Sequence, residues 1–257
     1  MSEHISYSEV KIWKECPWKH KLQYIDKIKG FRGNEYTAFG TAVHDVCEKL
    51  ARKDISSNEQ ASLLFDQAFA SELHKLKEVK EIDKKMVVDM RTQGKNLIPS
   101  IMPELNKVFE KYNIHSTEYK LYESIEEHNK NFKGYIDLVL KLPDDKYIIL
   151  DWKTCSWGWD SRKKSDKMIN YQLTLYKHFF AKRHNIDPKN IETYFALLKR
   201  TAKKDNTEIF RVTSGPKKTK NALNLLKKAL HNIEKGNFIK NRLSCRGCDF
   251  YKTEYCT

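Results

Sequence analysis

Two short segments carry the residue types that phosphoryl chemistry needs. Gly134-Tyr135-Ile136-Asp137 puts a carboxylate in one apolar stretch, and Asp151-Trp152-Lys153 puts a second carboxylate and a lysine at the end of another. If both stretches are strands, Asp151 and Lys153 share a face, because alternate residues of a strand point the same way. A carboxylate from the neighbouring strand can then lie beside them. That set suits one or two hard cations such as Mg²⁺ or Mn²⁺. Lys153 could orient or deprotonate a metal-bound water, or offset charge developing on a phosphate. Alone, an Asp-x-Lys is an ordinary ion pair at a strand end, so the neighbours matter. Phe39-Gly40-Thr41-Ala42-Val43-His44 sets a histidine in an otherwise apolar helix, where a lone histidine is usually a core residue. Gln172 and Tyr176 stand four apart and share a helix face. Six cysteines are unevenly placed: Cys16, Cys47 and Cys155 are scattered, whereas Cys245, Cys248 and Cys256 crowd the C-terminal stretch. A Cys-x2-Cys turn lets two thiolates reach one metal, and Gly247 helps it close. Three such ligands require a fourth from elsewhere.

These residues depend on the elements around them. The spacing predicts helices over 6–28, with Ser6 or Ser8 as N-cap, and over 36–52, with Ala38, Ala42, Val43, Val46 and Leu50 on its apolar side. Two charge-rich helical stretches, 58–78 and 83–112, are interrupted near Pro99 and Pro103 and read as a helical insertion. Three strands follow, at 118–126, 132–142 and 146–152, the last apolar enough for a buried central strand. A helix at 166–184, strands at 191–198 and 207–213, and an amphipathic helix at 217–235 complete an α/β core with a mixed sheet.

In this order the pieces resemble the RecB-like branch of the PD-(D/E)XK nucleases: Phe-Gly-x-x-x-His, Gly-Tyr-Ile-Asp, Asp-Trp-Lys-Thr, then Gln-x-x-x-Tyr. The opening Ser6-Tyr7-Ser8, Cys16-Pro17-Trp18, Leu22 and Tyr24 is similar to that branch's N-terminal helix. The resemblance runs from about residue 6 to 256. It implies a restriction-endonuclease-like core in one nuclease domain over 1–257, with the helical insertion at 55–115 and a cysteine-rich closure at 236–257. By the resemblance, His44, Asp137, Asp151 and the Trp152 carbonyl would hold the divalent metal. Lys153 would be the catalytic lysine, and Gln172 and Tyr176 would support the site. Glu118 or Glu123 would add a supporting carboxylate, and the sequence leaves that choice open. Some members hold a [4Fe–4S] cluster through one early and three late cysteines, a layout that Cys16, Cys245, Cys248 and Cys256 match. The gap from Cys248 to Cys256 is longer than is common there, so Zn²⁺ or no metal stays open. The implied activity is metal-dependent DNA cleavage in repair, recombination or replication, most simply as an exonuclease on single-stranded or end-exposed DNA. A non-cleaving DNA-binding or assembly subunit of the same fold is the alternative, and a zinc-stabilised binding module a third reading.

Composition agrees with a polyanion partner. The 257 residues carry 48 Lys and Arg against 34 Asp and Glu, a formal charge of +14, and the pI is about 9.3. At 40% hydrophobic residues a disordered chain is excluded. Arg162, Lys163, Lys164 and Lys167 follow one strand and Lys199, Arg200, Lys203 and Lys204 another, where they could meet backbone phosphates. Trp152, Trp157 and Trp159 could stack unpaired bases. Lys217, Lys218 and Lys220 read as a solvated face. No apolar run reaches the roughly 18 residues of a membrane helix, and the opening residues do not read as a secretory signal. A reducing, cytoplasmic setting without membrane contact is therefore expected. No G-x-x-x-x-G-K-[ST] loop is present, so ATP-driven unwinding would fall to a helicase, and a recombinase or integrase is another conceivable partner.

Overall fold

The computed structural model describes residues 3–78 and 80–257. The chain opens with a short strand, β1 (His4–Ser6), and runs into α1 (Tyr7–Glu15), which Ser6 caps by accepting from the Glu9 amide. The helix expected through residue 28 breaks at Cys16, whose backbone is extended, because Pro17 starts a new turn. That turn, α2 (Pro17–His20), continues as a π-turn over Lys21–Ile25. A capping box between Asn34 and Thr37 starts α3 (Glu35–Arg52). Then come α4 (Asn58–Lys77), α5 (Lys84–Leu97) and α6 (Ile101–Val108). The second expected insertion helix is thus two, joined by a 3₁₀ turn at Pro99, and it stops before residue 112. Strands β2 (Asn113–Ser124), β3 (Asn131–Lys141) and β4 (Tyr147–Cys155) follow, with β2 beginning earlier than its pattern suggested. The remaining elements are α7 (Ser161–Ser165), α8 (Lys167–His184), β5 (Ile191–Lys199), β6 (Thr207–Val212) and α9 (Pro216–Glu234).

The sheet is mixed, in the order β1-β3-β4-β5-β6, with β2 antiparallel to β3. Helices cover both faces. On one face Val10 and Trp13 of α1, Leu173 and Phe180 of α8 and Leu226 and Leu230 of α9 pack over Ile136, Ile149 and Phe195. On the other, α3 joins α4–α6 over Leu138, Leu150, Trp152 and Leu198, with Phe39, Phe65, Met90 and Leu105 at its centre. Each face hides enough apolar surface to drive the layers together. A satellite cluster of Leu22, Phe250 and Cys256 ties the C-terminal segment to the first helices. No helix among the described residues is long and apolar enough to cross a membrane.

One irregularity in this sheet positions the site. β2 occupies one edge of β3 along its length, so β1 and β4 must share the other. β1 pairs with residues 131–133 and β4 with residues 138–141, which leaves 134–137 unpaired between them. β4 meanwhile stays paired with β5 from Tyr147 to Cys155. Beyond Leu138 and Leu150 the two strands therefore separate and open a cleft.

Candidate active site

The Gly134–Asp137 segment lies on the unpaired edge of that cleft, and Asp151 and Lys153 lie on the facing wall. With no ladder partner from β3, the Trp152 N–H donates instead to Asp137 Oδ2 at 2.8 Å. Asp151, 1% exposed, accepts from Gln172 Nε2 at 2.8 Å and meets Lys153 Nζ at 2.6 Å. Gln172 Nε2 also lies 3.2 Å from the Tyr176 hydroxyl, which accepts from it. His44 enters from α3, its Nδ1 3.6 Å from Asp137 Oδ2. One cleft thus gathers all six: His44, Asp137, Asp151, Lys153, Gln172 and Tyr176.

Two close contacts fix the walls. A Cβ on Gly134 would lie 2.6 Å from the Tyr176 ring, so glycine lets α8 sit against β3. A Cβ on Gly40 would lie 3.2 Å from Thr154 Oγ1, so α3 also packs close to β4 one turn before His44.

The electrostatics follow from burial and like charge. Burial, then the Asp151 charge, holds the Asp137 carboxyl well above the usual carboxylate range. Burial would push the Lys153 ammonium down, but the Asp151 and Asp137 charges outweigh it and leave it above the ordinary lysine value. His44 is lowered by burial against the opposing pull of Asp151, which favours a neutral imidazole. Burial and the Asp151 charge keep the Tyr176 phenol protonated. Two buried carboxyl groups side by side, one of them raised by the other's charge, beside a neutral imidazole, make a donor set of the kind a hard divalent cation takes. As it stands, no three His, Cys, Asp or Glu side chains among the described residues are gathered as a metal site. Asp151 is turned onto Lys153 and Gln172, and Asp137 onto the Trp152 amide.

Of the two candidate glutamates, the strand register sets Glu118 beside the cleft. Glu118 falls opposite Asp137, between the pairs Thr117↔Leu138 and Tyr119↔Ile136. Burial, then Glu48 and more weakly Asp151, raise its carboxyl. Glu123 is bound to Arg183 at 3.1 Å, away from the cleft. Glu48 went unnoticed in the sequence. It stands one turn after His44, paired with Arg52 at 2.6 Å, and its only signal was that four-residue spacing.

The tryptophans need correction. Trp152 is 2% exposed, inside the core against α3. Trp159 packs edge-on against Phe195 and Phe210, with Lys163 above it. Only Trp157, 79% exposed, is open to a stacking partner. The basic residues divide similarly. Lys164 and Lys199 both pair with Glu208, whereas Arg162, Lys167, Lys203 and Lys204 are exposed. Arg200 donates to Gln93 Oε1 and Ser156 Oγ and lies 5.0 Å over the Tyr36 ring. Lys217 and Lys220 are exposed, and Lys218 donates to the Thr213 carbonyl.

Cys16, Cys245, Cys248 and Cys256 line one small cavity between α2 and the C-terminal segment. All four are free thiols. The Asn241 amide donates to Cys16 Sγ at 3.3 Å, and Asn241 and Ser244 both bond the Glu15 carbonyl. Cys47 is buried beneath the site and Cys155 is half-buried at the end of β4.

A sequence profile of the PD-(D/E)XK nuclease superfamily matches residues 4–253. Among solved structures, a provisionally named exonuclease from Eubacterium rectale aligns with a TM-score of 0.60 over 93% of this chain and 84% of that one, at 12% identity. The crystal structure of SSO0001 aligns at 12% identity over 97% of this chain and 84% of that one, with a TM-score of 0.45. No curated protein matches the chain.

Proposed function

The chain belongs to the PD-(D/E)XK nuclease superfamily, and we propose that it is a metal-dependent deoxyribonuclease of the RecB-like branch, an exonuclease on single-stranded or end-exposed DNA. The observation that carries this reading is the cleft where β3 and β4 part, with Asp137 on one wall and Asp151 and Lys153 on the other. The superfamily works with Mg²⁺ or Mn²⁺. Asp137, Asp151, His44 and the Trp152 carbonyl would hold the ion, with Glu118 behind them. When bound, such an ion supplies Lewis acidity and a water of lowered pKa.

The chain's own residues do the rest. Lys153, held charged by the two carboxylates, faces the phosphate and offsets the negative charge that grows there. Gln172 fixes Asp151, and Tyr176, packed on Gly134, fixes Gln172. Exposed Arg162, Lys167, Lys203 and Lys204 flank the ends of β4 and β5 and meet backbone phosphates. Cys16, Cys245, Cys248 and Cys256 hold a [4Fe–4S] cluster that staples the two ends of the chain, and repair, recombination or replication is the setting, with a helicase, recombinase or integrase as partner.

The test is cleavage of end-labelled single-stranded and duplex DNA with Mg²⁺, Mn²⁺ or EDTA, beside Lys153→Ala. We expect metal-dependent degradation that falls at least ~100-fold in the variant, with a melting temperature close to wild type. Equal activity of the two proteins would overturn the assignment of Lys153.

A further inference from the structure

A second basic feature stands apart from the cleft. A groove of about 920 Å³ runs between the loop that precedes α3 and the cysteine-rich segment. Its lining carries five basic side chains and a single carboxylate, Asp249. Lys19 and Lys75 already face Glu15 and Glu72, at 3.1 and 2.6 Å. Lys27, Lys29 and Arg32 are exposed, and among the described residues none has a carboxylate partner. Two aromatic rings stand in the same lining: Phe31 is 57% exposed, and Tyr24, 37% exposed, is stacked on His20. An apolar ring held in water among unpaired cations has no packing role.

The groove also leads somewhere. Arg32 is followed by Tyr36 in the first turn of α3, 48% exposed, with the Arg200 guanidinium over its ring. Arg200 is fixed by Ser156, just past the end of β4 and next to exposed Trp157. From Tyr36 to His44 is about 12 Å of helix. The loop that lines the groove therefore continues, through Tyr36, into the helix that carries His44. Duplex DNA hides its base faces and offers no surface to such rings, whereas a single strand offers both phosphates and faces.

We propose that this groove binds single-stranded DNA remote from the cleft, with Lys27, Lys29 and Arg32 on its phosphates and Phe31 and Tyr24 on its bases. The inference rests on the nuclease reading for the identity of the strand. It also gives the C-terminal closure a second task. A Cβ on Gly30 would lie 3.0 Å from Phe250 and 3.3 Å from Asp249, so the loop sits directly on that segment, which forms the opposite wall.

The experiment measures fluorescence anisotropy of labelled oligothymidylates of roughly 4 and roughly 20 nucleotides, in EDTA so that nothing is cut. Wild type is compared with Lys29→Glu/Arg32→Glu and with Phe31→Ala. Hydrolysis of the p-nitrophenyl ester of thymidine 5′-phosphate with Mn²⁺, which fills the cleft alone, reports on the fold and the site. We expect the long oligomer to bind at least ~10-fold more weakly to each variant, the short one to change little, and ester hydrolysis to match wild type. Unchanged affinity for the long oligomer in variants that still hydrolyse the ester overturns the groove. If wild type cuts nothing yet loses long-oligomer affinity in the variants, the groove stands and the nuclease reading fails.

Discussion

At the residue scale the site is a problem of two negative charges in one buried place. The Asp137 carboxyl is held far above its ordinary range by burial and by Asp151. A group whose folded pKa is raised stabilises the fold below its unfolded pKa, and that contribution is lost as pH rises through the folded value. At neutral pH without metal, Asp137 is therefore a liability. Asp137→Asn removes the charge while its amide oxygen can still accept from the Trp152 N–H. In EDTA at neutral pH the variant is expected to melt at or above the wild-type temperature. Mn²⁺ should raise the melting temperature of wild type and leave the variant unmoved. Thermal melts with and without metal check this, and a variant that melts well below wild type in EDTA would show that Asp137 is not in conflict with Asp151. Residues of this kind were legible in the sequence because type and spacing alone mark them. Glu118 was named only as an alternative to Glu123 and Glu48 not at all, since one reaches the cleft through a pairing between strands and the other through the packing of α3.

At the element scale, α4 and α5 are held to one another by charge as well as by their apolar faces. Asp66 of α4 takes a two-pronged contact from Arg91, at 2.8 and 2.7 Å, and a third from Lys95 at 2.7 Å. The Arg91 guanidinium, then Lys95, depress the Asp66 carboxyl to about 2, against burial. A depressed carboxyl stabilises the fold above its unfolded pKa, and the benefit drains away as pH falls through the folded value. Arg91 is largely exposed, so solvent screens most of the attraction. Asp66→Asn should therefore cost about 1 kcal/mol at pH 7 and almost nothing near pH 2, read from denaturant melts at both. An equal loss at both pH values would make the contact one of packing. The same helices show what patterns miss. Their apolar periodicity was visible, but the break at Pro99 looked like an interruption within one helix, whereas the chain there turns through a 3₁₀ segment and starts α6. β1 is three residues long, too short for any alternation to register, and it is defined only by its pairing with residues 131–133 of β3. That unreadable strand matters most, because it bounds the unpaired segment of β3 that opens the cleft.

At the scale of the whole molecule the two ends of the chain meet. α1 and α2 belong to one covering layer, yet Cys16 and Trp18 at their junction are bonded to Asn241 and Tyr255. The apolar contacts there are few: Leu22, Phe250 and Cys256, with Trp18, Ile28 and Cys248 around them. So small a cluster hides too little surface to hold a terminal segment by itself. The proposed metal on the four thiols of its cavity would reinforce it, since a metal crosslink removes chain entropy from the unfolded state much as a disulfide does. Joining residues so far apart in sequence would contribute about 2–5 kcal/mol on that analogy. Cys245→Ser is accordingly expected to lower the melting temperature markedly, and to loosen the groove that shares the segment. Protein prepared without oxygen should hold about four iron atoms per chain if the crosslink is a cluster. Roughly one zinc would keep the staple and discard the iron. A metal-free protein whose Cys245→Ser form melts like wild type would leave the closure to the bonds of Asn241 and Ser244 with the Glu15 carbonyl and of Trp18 with the Tyr255 carbonyl.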